Sequence, residues 1–365
     1  MHDPRIDSAA PPAPVQPADR GRGRTAAAPL LALDSYSVSF SHGGDRVPVV
    51  HGIDLAIARG EALGIVGESG CGKSVTWLAA LRLLGKDVAV SGQVLLDGRD
   101  LTRLSEREMS AVRGGRIGLV FQDPTSSLNP VYRIGGQICE ALRLHRGLRG
   151  AAARAEALRL LDRVGIADAG RRLRQYPHEL SGGMNQRVMI AIALAGEPDV
   201  LVADEPTTAL DATIQAQILD LIQDIRRDTG MGLVLISHDL GVVAELCDRI
   251  AVMYAGRVVE TGPTDALLAH PRHPYTRGLL AALPDLEGPR TRLTPVPGTV
   301  PSPQAMPSGC AFAPRCASAT ALCRAIVPPL TAADGPLHSA ACLRLDAPAA
   351  DTTAHSLPVL EGIPA

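Results

Sequence analysis

Residues 61–77, EALGIVGESGCGKSVTW, run from a short apolar stretch into a glycine-rich loop and then into a helical pattern. Leu63–Val66 reads as a buried strand, and a helix opens at Gly72. Between them lies Gly67-Glu68-Ser69-Gly70-Cys71-Gly72-Lys73-Ser74, which fits the P-loop spacing G-x-x-x-x-G-K-[ST]. Glycines let the backbone curl until successive N–H groups face one anion. The positive end of the helix dipole adds to that field. On this reading Gly67, Ser69, Gly70, Cys71, Gly72 and Val75 shape or flank a phosphate pocket. Lys73 reaches the β- and γ-phosphates of a nucleotide, and Ser74 offers a hydroxyl to Mg²⁺, although the loop alone does not say which NTPase this is. The chain holds two lysines, at 73 and 86, among 36 basic residues. One of them stands where a compact ammonium suits the chemistry better than a guanidinium.

The length, 365 residues, suits one large domain with an appendage, or two domains. A net charge of −2 gives no electrostatic case for a nucleic-acid partner. No apolar run approaches the ~18–20 residues that cross a bilayer. The N-terminus shows no continuous apolar segment of the signal-peptide kind. The expected location is therefore cytosolic, with membrane contact made through partners. Seven cysteines in such a chain argue against a disulfide framework.

Taken in order, residues 1–28 are rich in Pro, Ala and Arg and read as a disordered extension. Leu30–Leu33, Tyr36–Phe40, Val47–Val50 and Ile53–Ile57 read as antiparallel strands turning at Gly43-Gly44. Phe40 fits either a nucleotide base-stacking role or a core position. Ile117–Phe121 is a further strand, ending in Gln122-Asp123-Pro124. Helical faces follow, with Ile134, Ile138, Ala141 and Leu142 on one and Ala157, Leu158, Leu161 and Val164 on another. Ser181, Gly182 and Gly183 open an apolar helix, where Ser181 suits an N-cap.

Val200–Ala203 is a buried strand delivering Asp204 and Glu205 at its C-terminal end, where open α/β sheets place their ligands. Two carboxylates there are costly unless they hold a metal or do chemistry. Asp204 is expected to organise Mg²⁺ and Glu205 to polarise an attacking water. Leu233–Ile236 delivers His238, a candidate γ-phosphate contact. Ile250–Tyr254 and Arg257–Glu260 read as a closing hairpin around Ala255-Gly256. Residues 285–307 are Pro-rich, and Cys310, Cys316, Cys323 and Cys342 then fall within 33 residues. Four thiolates can hold zinc or an iron–sulfur cluster. Their spacing contains no C-x-x-C, which weakens a zinc ribbon.

Together these motifs resemble the ATPase subunits of ABC transporters over about residues 30–262. They stand in the order phosphate loop 67–74, Gln122, signature Leu180–Gln186, Asp204-Glu205, Ala209-Leu210-Asp211 and His238. Met184 departs from the commonest signature, as it does in peptide importers. Ser127-Leu128-Asn129-Pro130, Thr213–Gln217, His273-Pro274-Tyr275-Thr276-Arg277 and the cysteine-bearing region look like the ATPases of dipeptide and oligopeptide permeases. Nickel importers and antimicrobial-peptide uptake systems share much of this pattern. A soluble ABC ATPase and a P-loop kinase are rivals of other classes, but the single cassette counts against the first and the signature against the second.

The resemblance implies a RecA-like α/β core, an antiparallel β subdomain and a helical subdomain at about 123–190. That cassette spans 29–265. A small C-terminal domain with the cysteines covers 266–345, and a flexible tail covers 346–365. It implies ATP and Mg²⁺, the latter near Ser74, Gln122 and Asp204, and a [4Fe–4S] cluster ahead of Zn²⁺ on the four cysteines. Phe40 becomes the base-stacking residue, and Ser181, Gly182, Gly183 and Asp211 address ATP held by a second cassette. The implied partners are that second ATPase, two membrane permease subunits and an extracytoplasmic peptide-binding protein, with the chain peripheral on the cytoplasmic face of the inner membrane.

Overall fold

The computed structural model describes residues 28–208, 210–282 and 296–345. The expected extension up to residue 27, the tail from 346, Ala209 and the Pro-rich segment 283–295 lie outside the described residues.

Strands β1 (Leu31–His42) and β2 (Asp45–Ile57) form an antiparallel hairpin around Gly43-Gly44. The four short strands expected here are fused in pairs. Register shifts between Leu33 and Tyr36 and between Tyr36 and Val38 explain this, because a bulge bends a strand without ending it. Next come β3 (Ala62–Val66) and α1 (Lys73–Ala80), then β4 (Val88–Leu96) and β5 (Arg99–Asp100). One four-stranded antiparallel sheet runs β2-β1-β4-β5. Helix α2 (Glu106–Val112) starts at a capping box, in which Ser105 and Glu108 satisfy each other's backbone N–H groups. Strand β6 (Ile117–Val120) leads out to the helical region.

That region comprises α3 (Pro124–Ser127), α4 (Ile134–Arg146), α5 (Gly150–Arg163), α6 (Ala169–Arg172) and α7 (Gly182–Leu194). Ile134, Ile138 and Leu142 of α4 face Ala157 and Leu161 of α5 in one buried cluster. Each large aliphatic side chain so buried contributes roughly 1.5–3 kcal/mol. Helix α7 is apolar on nearly every side and is buried from Val188 to Ala191.

The chain then alternates between strand and helix through β7 (Val200–Asp204), α8 (Ala212–Thr229), β8 (Gly232–Ile236) and α9 (Leu240–Leu246). The hairpin of β9 (Arg249–Tyr254) and β10 (Arg257–Pro263) follows. Beyond it come α10 (Thr264–Ala269), α11 (Pro274–Ala281), α12 (Ala321–Ala325), β11 (Thr331–Ala332) and β12 (Ser339–Ala340). The second sheet has eight strands in the order β11-β12-β10-β9-β3-β8-β7-β6. Strands β6, β7, β8, β3 and β9 are parallel, and the remaining pairings are antiparallel. Every residue of β3, β7 and β8 is buried, as expected for a parallel sheet covered on both faces. Register pairs Ile65 and Asp204 with Ile236, and Val120 with Ala203. The phosphate loop, Glu205, His238 and Gln122 therefore leave the sheet along one edge.

The C-terminal region does not stand apart. Strand β12 pairs Ala340 with Glu260 and Ser339 with Thr261, so it lengthens the core sheet. Glu260 is fully buried there, which is tolerable only with partners. It accepts the N–H groups of Arg272 (2.6 Å) and His273 (2.9 Å) and meets His338 Nε2 at 2.8 Å.

Candidate functional site

The fully buried strand β3 presents the phosphate loop at its C-terminal end. A Cβ on Gly67 would fall 2.2 Å from the carbonyl oxygen of Met253, so nothing larger fits between loop and β9. Gly72 caps α1 at φ 100°, in the left-handed region. Lys73 is 6% exposed, and its ammonium donates to the carbonyls of Gly67 (2.7 Å) and Glu68 (3.2 Å). Ser69 and Gly70 lie exposed at the loop's crest, while Cys71 is buried beneath it. Burial pushes the Cys71 thiol up, so it behaves as a neutral packing group. Val75 and Phe40 are half-buried against the core that contains Trp77. Phe40 thus packs at the rim of the β subdomain while keeping part of its ring accessible.

Beside the loop, Ser74 Oγ donates to Asp204 Oδ1 at 2.9 Å. Burial raises the Asp204 carboxyl, and neighbouring Glu205 raises it further, while the Ser74 hydrogen bond and Lys73 oppose them. Glu205 has φ 45°, a left-handed backbone for a non-glycine residue at a strand end. Three side chains converge on its Oε2. Gln122 Nε2 and Thr208 Oγ1 each donate at 2.9 Å, and His238 Nδ1 lies at 3.4 Å. Gln122, Glu205 and His238 are thus brought together from three strand ends. Thr208 is an addition that sequence reasoning missed. One turn past Glu205, it belongs to no pattern that marks it.

Ser181 caps α7, its Oγ accepting the N–H of Met184 at 3.3 Å. Asp211 caps α8, its Oδ1 accepting the N–H of Ile214 at 3.0 Å. A Cβ on Gly183 would sit 2.7 Å from Ile214 Cγ2, so that glycine lets the start of α7 seat against α8. Gly182 faces Leu210 in the same way, at ordinary contact distance. These four residues form a second polar edge, built from two neighbouring helix starts.

A family model for ABC transporters matches residues 50–208, and one for the oligopeptide/dipeptide transporter C-terminal region matches 259–323. A relative from Brucella abortus, provisionally named a peptide import ATP-binding protein, is 52% identical over 297 residues, covering 81% of this chain and 90% of its own. A second Brucella abortus protein with the same naming is 49% identical over 330 residues, covering 87% and 97%. The chain belongs to the ABC transporter ATPases of the oligopeptide/dipeptide group. Among solved structures, a dimeric ATP-binding cassette in a post-hydrolysis state with ADP and Pi superposes with a TM-score of 0.58 at 28% identity, covering 64% of this chain and 98% of that one. A cassette from Clostridium perfringens, part of an ABC transporter complex, gives 0.57 at 28% identity over 67% and 92%.

What distinguishes this ABC ATPase from a bare cassette is the segment after β10. Cys310, Cys316, Cys323 and Cys342 all line one cavity of about 30 Å³, with Arg277 and Arg344 beside them. All four are free thiols. Among the described residues no group of three or more His, Cys, Asp or Glu side chains is arranged to hold a metal ion. The closed four-cysteine ligand set expected from the sequence is therefore not assembled. Burial pushes the thiols of Cys310, Cys316 and Cys342 up, and neutral thiols have no charge to draw them onto one point. Cys323 goes the other way, lowered by hydrogen bonds from Thr320.

The same segment reaches the phosphate loop, which was not foreseen. Arg315 makes a two-pronged ion pair with Glu68, Nη1 to Oε2 at 2.6 Å and Nη2 to Oε1 at 2.9 Å. Tyr275 accepts the Glu68 N–H on its phenolic oxygen at 2.8 Å. Tyr275, Tyr254 and Phe312 form an aromatic cluster with ring centres 4.6–5.5 Å apart. The HPYTR motif of 273–277 pointed at Tyr275 only through resemblance.

Proposed function

We propose that this chain binds and hydrolyses ATP to drive peptide uptake through an ABC importer. The observation that carries the proposal is the convergence of Gln122, Thr208 and His238 on Glu205, across β8 from a P-loop whose Ser74 is bonded to Asp204. Lys73 and the loop N–H groups bind the β- and γ-phosphates, while Phe40 offers its exposed edge to the base. Ser74, Gln122 and Asp204 are the groups that would hold Mg²⁺, which when bound neutralises phosphate charge. Glu205 orients the attacking water and takes its proton, and His238 contacts the γ-phosphate. The left-handed backbone at Glu205 and its three polar neighbours support a preorganised base.

Ser181, Gly182, Gly183 and Asp211 complete the ATP site of a second cassette. Their placement at two adjacent helix starts supports an anion-facing edge. The permease subunits dock on the helical region, where a cavity of about 1190 Å³ is lined by Tyr132, Gln137, Leu144 and Ile192. Val131, Tyr132 and Leu144 are exposed there at 74%, 60% and 65%, apolar surface of the kind that marks an interface. Among the described residues no helix is long and apolar enough to cross a membrane. The chain acts as a peripheral subunit on the cytoplasmic face of the inner membrane, held there by the permease subunits. An extracytoplasmic peptide-binding protein completes the system. Residues 29–265 act as the cassette, with 266–345 as its C-terminal extension.

The four cysteines suit an iron–sulfur cluster better than zinc. Zinc would draw all four sulfurs to about 2.3 Å from one point. The cavity of about 30 Å³ is too small for a cubane as it stands, so the four sulfurs would have to move outward around the cluster, with Arg277 and Arg344 near enough to offset thiolate charge. Its contribution when bound would be a structural cross-link.

The test of the catalytic assignment is Glu205→Gln in the assembled complex. ATP binding should persist while hydrolysis falls by about 10²-fold or more, the scale of a lost general base. Near-normal turnover from both sites would overturn the role given to Glu205.

A further inference from the structure

Glu68 is a chemical oddity. It places a carboxylate inside a loop whose expected ligand is a polyanion, and like charges at close range oppose binding. Three contacts hold this one residue. Its N–H goes to Tyr275, its C=O accepts Lys73, and its side chain is gripped by Arg315.

The Arg315 guanidinium is 4% exposed, and all five of its N–H donors are used. Nε donates to Pro297 O (2.7 Å), Nη1 to Glu68 Oε2 (2.6 Å) and Tyr254 Oη (3.4 Å), and Nη2 to Glu68 Oε1 (2.9 Å) and Val296 O (3.0 Å). The rings of Tyr254 and Phe312 lie 5.6 and 5.8 Å from its central carbon. A buried, fully saturated, two-pronged pair fixes orientation as well as charge.

We propose that Arg315, supplied by the C-terminal region, is a positioning residue of the phosphate loop that cancels the Glu68 charge and holds the loop ready for nucleotide. This rests on the reading of the loop as an ATP site. Arg315 acts on ATP through Glu68 and contacts no phosphate itself. The prediction is therefore asymmetric. Removing the arginine harms binding only while the carboxylate is there to repel phosphate.

The experiment measures equilibrium binding of Mg²⁺–ATP to the full chain by fluorescent-nucleotide displacement. Arg315→Met should weaken binding roughly tenfold, about 1.4 kcal/mol. Arg315→Lys should recover part of the loss, since it restores charge without the fork. Glu68→Gln alone should leave binding within about twofold, because Arg315 acts on ATP only through the carboxylate. The double variant Glu68→Gln/Arg315→Met should return to within about twofold of the unaltered chain, a coupling read from the double-mutant cycle. A folding defect caused by the missing guanidinium would persist in the double variant, so rescue separates charge from structure. Unchanged affinity in Arg315→Met, or failure of Glu68→Gln to rescue it, overturns the proposal. Lys73→Ala is the control on the underlying reading. If the unaltered chain and Lys73→Ala bind ATP alike, the loop is not the nucleotide site and that reading fails instead.

Discussion

Ser74 and Asp204, 130 residues apart in the chain, are joined by a 2.9 Å hydrogen bond between the start of α1 and the end of β7. The bond links the phosphate loop to the acidic strand end. Burial raises the Asp204 carboxyl, so an added cation nearby would favour its charged form. Asp204→Asn should keep metal-free nucleotide binding and lose Mg²⁺-dependent turnover by about 10²-fold or more, a scale set by lost charge stabilisation. Comparing nucleotide affinity with and without Mg²⁺ checks this. An undiminished Mg²⁺ effect in the variant would remove Asp204 from the metal site.

Ser181 should act on nucleotide held by the partner cassette. Ser181→Arg should leave this chain's own ATP affinity within about twofold and cut turnover of the assembled complex by at least ~10-fold, the scale of one lost charge-assisted contact. Selective loss of binding in the isolated chain would mean that Ser181 serves its own phosphate loop.

Chain purified without oxygen should be brown and carry about four irons, as a four-cysteine cubane requires. Cys316→Ser should abolish the colour, and Cys139→Ser should not. Colourless protein with about one zinc would replace the cluster with a zinc site. Metal-free protein with four titratable thiols would end both readings.

His273 is fully buried, caps α11 by accepting the Tyr275 N–H on Nδ1 at 3.1 Å, and lies against the Phe312 ring. Burial lowers its pKa to about 4, opposed by Glu260 and aided by Arg277. The unfolded chain takes up this proton near pH 6.5, whereas the folded chain resists until about pH 4. Stability from this group is thus fully present above pH 6.5 and is lost as pH falls toward 4, by up to about 3 kcal/mol. His273→Asn keeps a capping acceptor and removes the titration. Its melting temperature should vary less between pH 4 and 6.5 than that of the unaltered chain. Parallel pH profiles would refute the assignment.

Much of the site was legible because its signals are local. Lys73 and Ser74 sit at fixed spacing in one loop, and Asp204-Glu205 and His238 follow short apolar runs whose length and β-branched content suit buried strands. The capping role of Ser181 was equally readable. The fused β1 and β2 were not, since a bulge at Ser35 leaves only a polar interruption of the kind that also ends strands. Pairing of β12 with β10 is carried by two residues and by the burial of Glu260, neither visible as periodicity. Arg315 and Glu68 lie 247 residues apart, and nothing near either marks its partner. The cysteines were found as a cluster, but whether they close on a metal depends on their protonation, which no spacing encodes.

The Glu68–Arg315 pair also limits how this protein can be cut and joined. A cassette graft that takes the strands and the phosphate loop but leaves the segment after β10 behind would carry an orphan acid into the nucleotide site. The reverse graft would bury an orphan cation beside Phe312. Functional chimeras between this chain and cassettes without such an extension must exchange position 68 along with the C-terminal segment, as a single inherited unit.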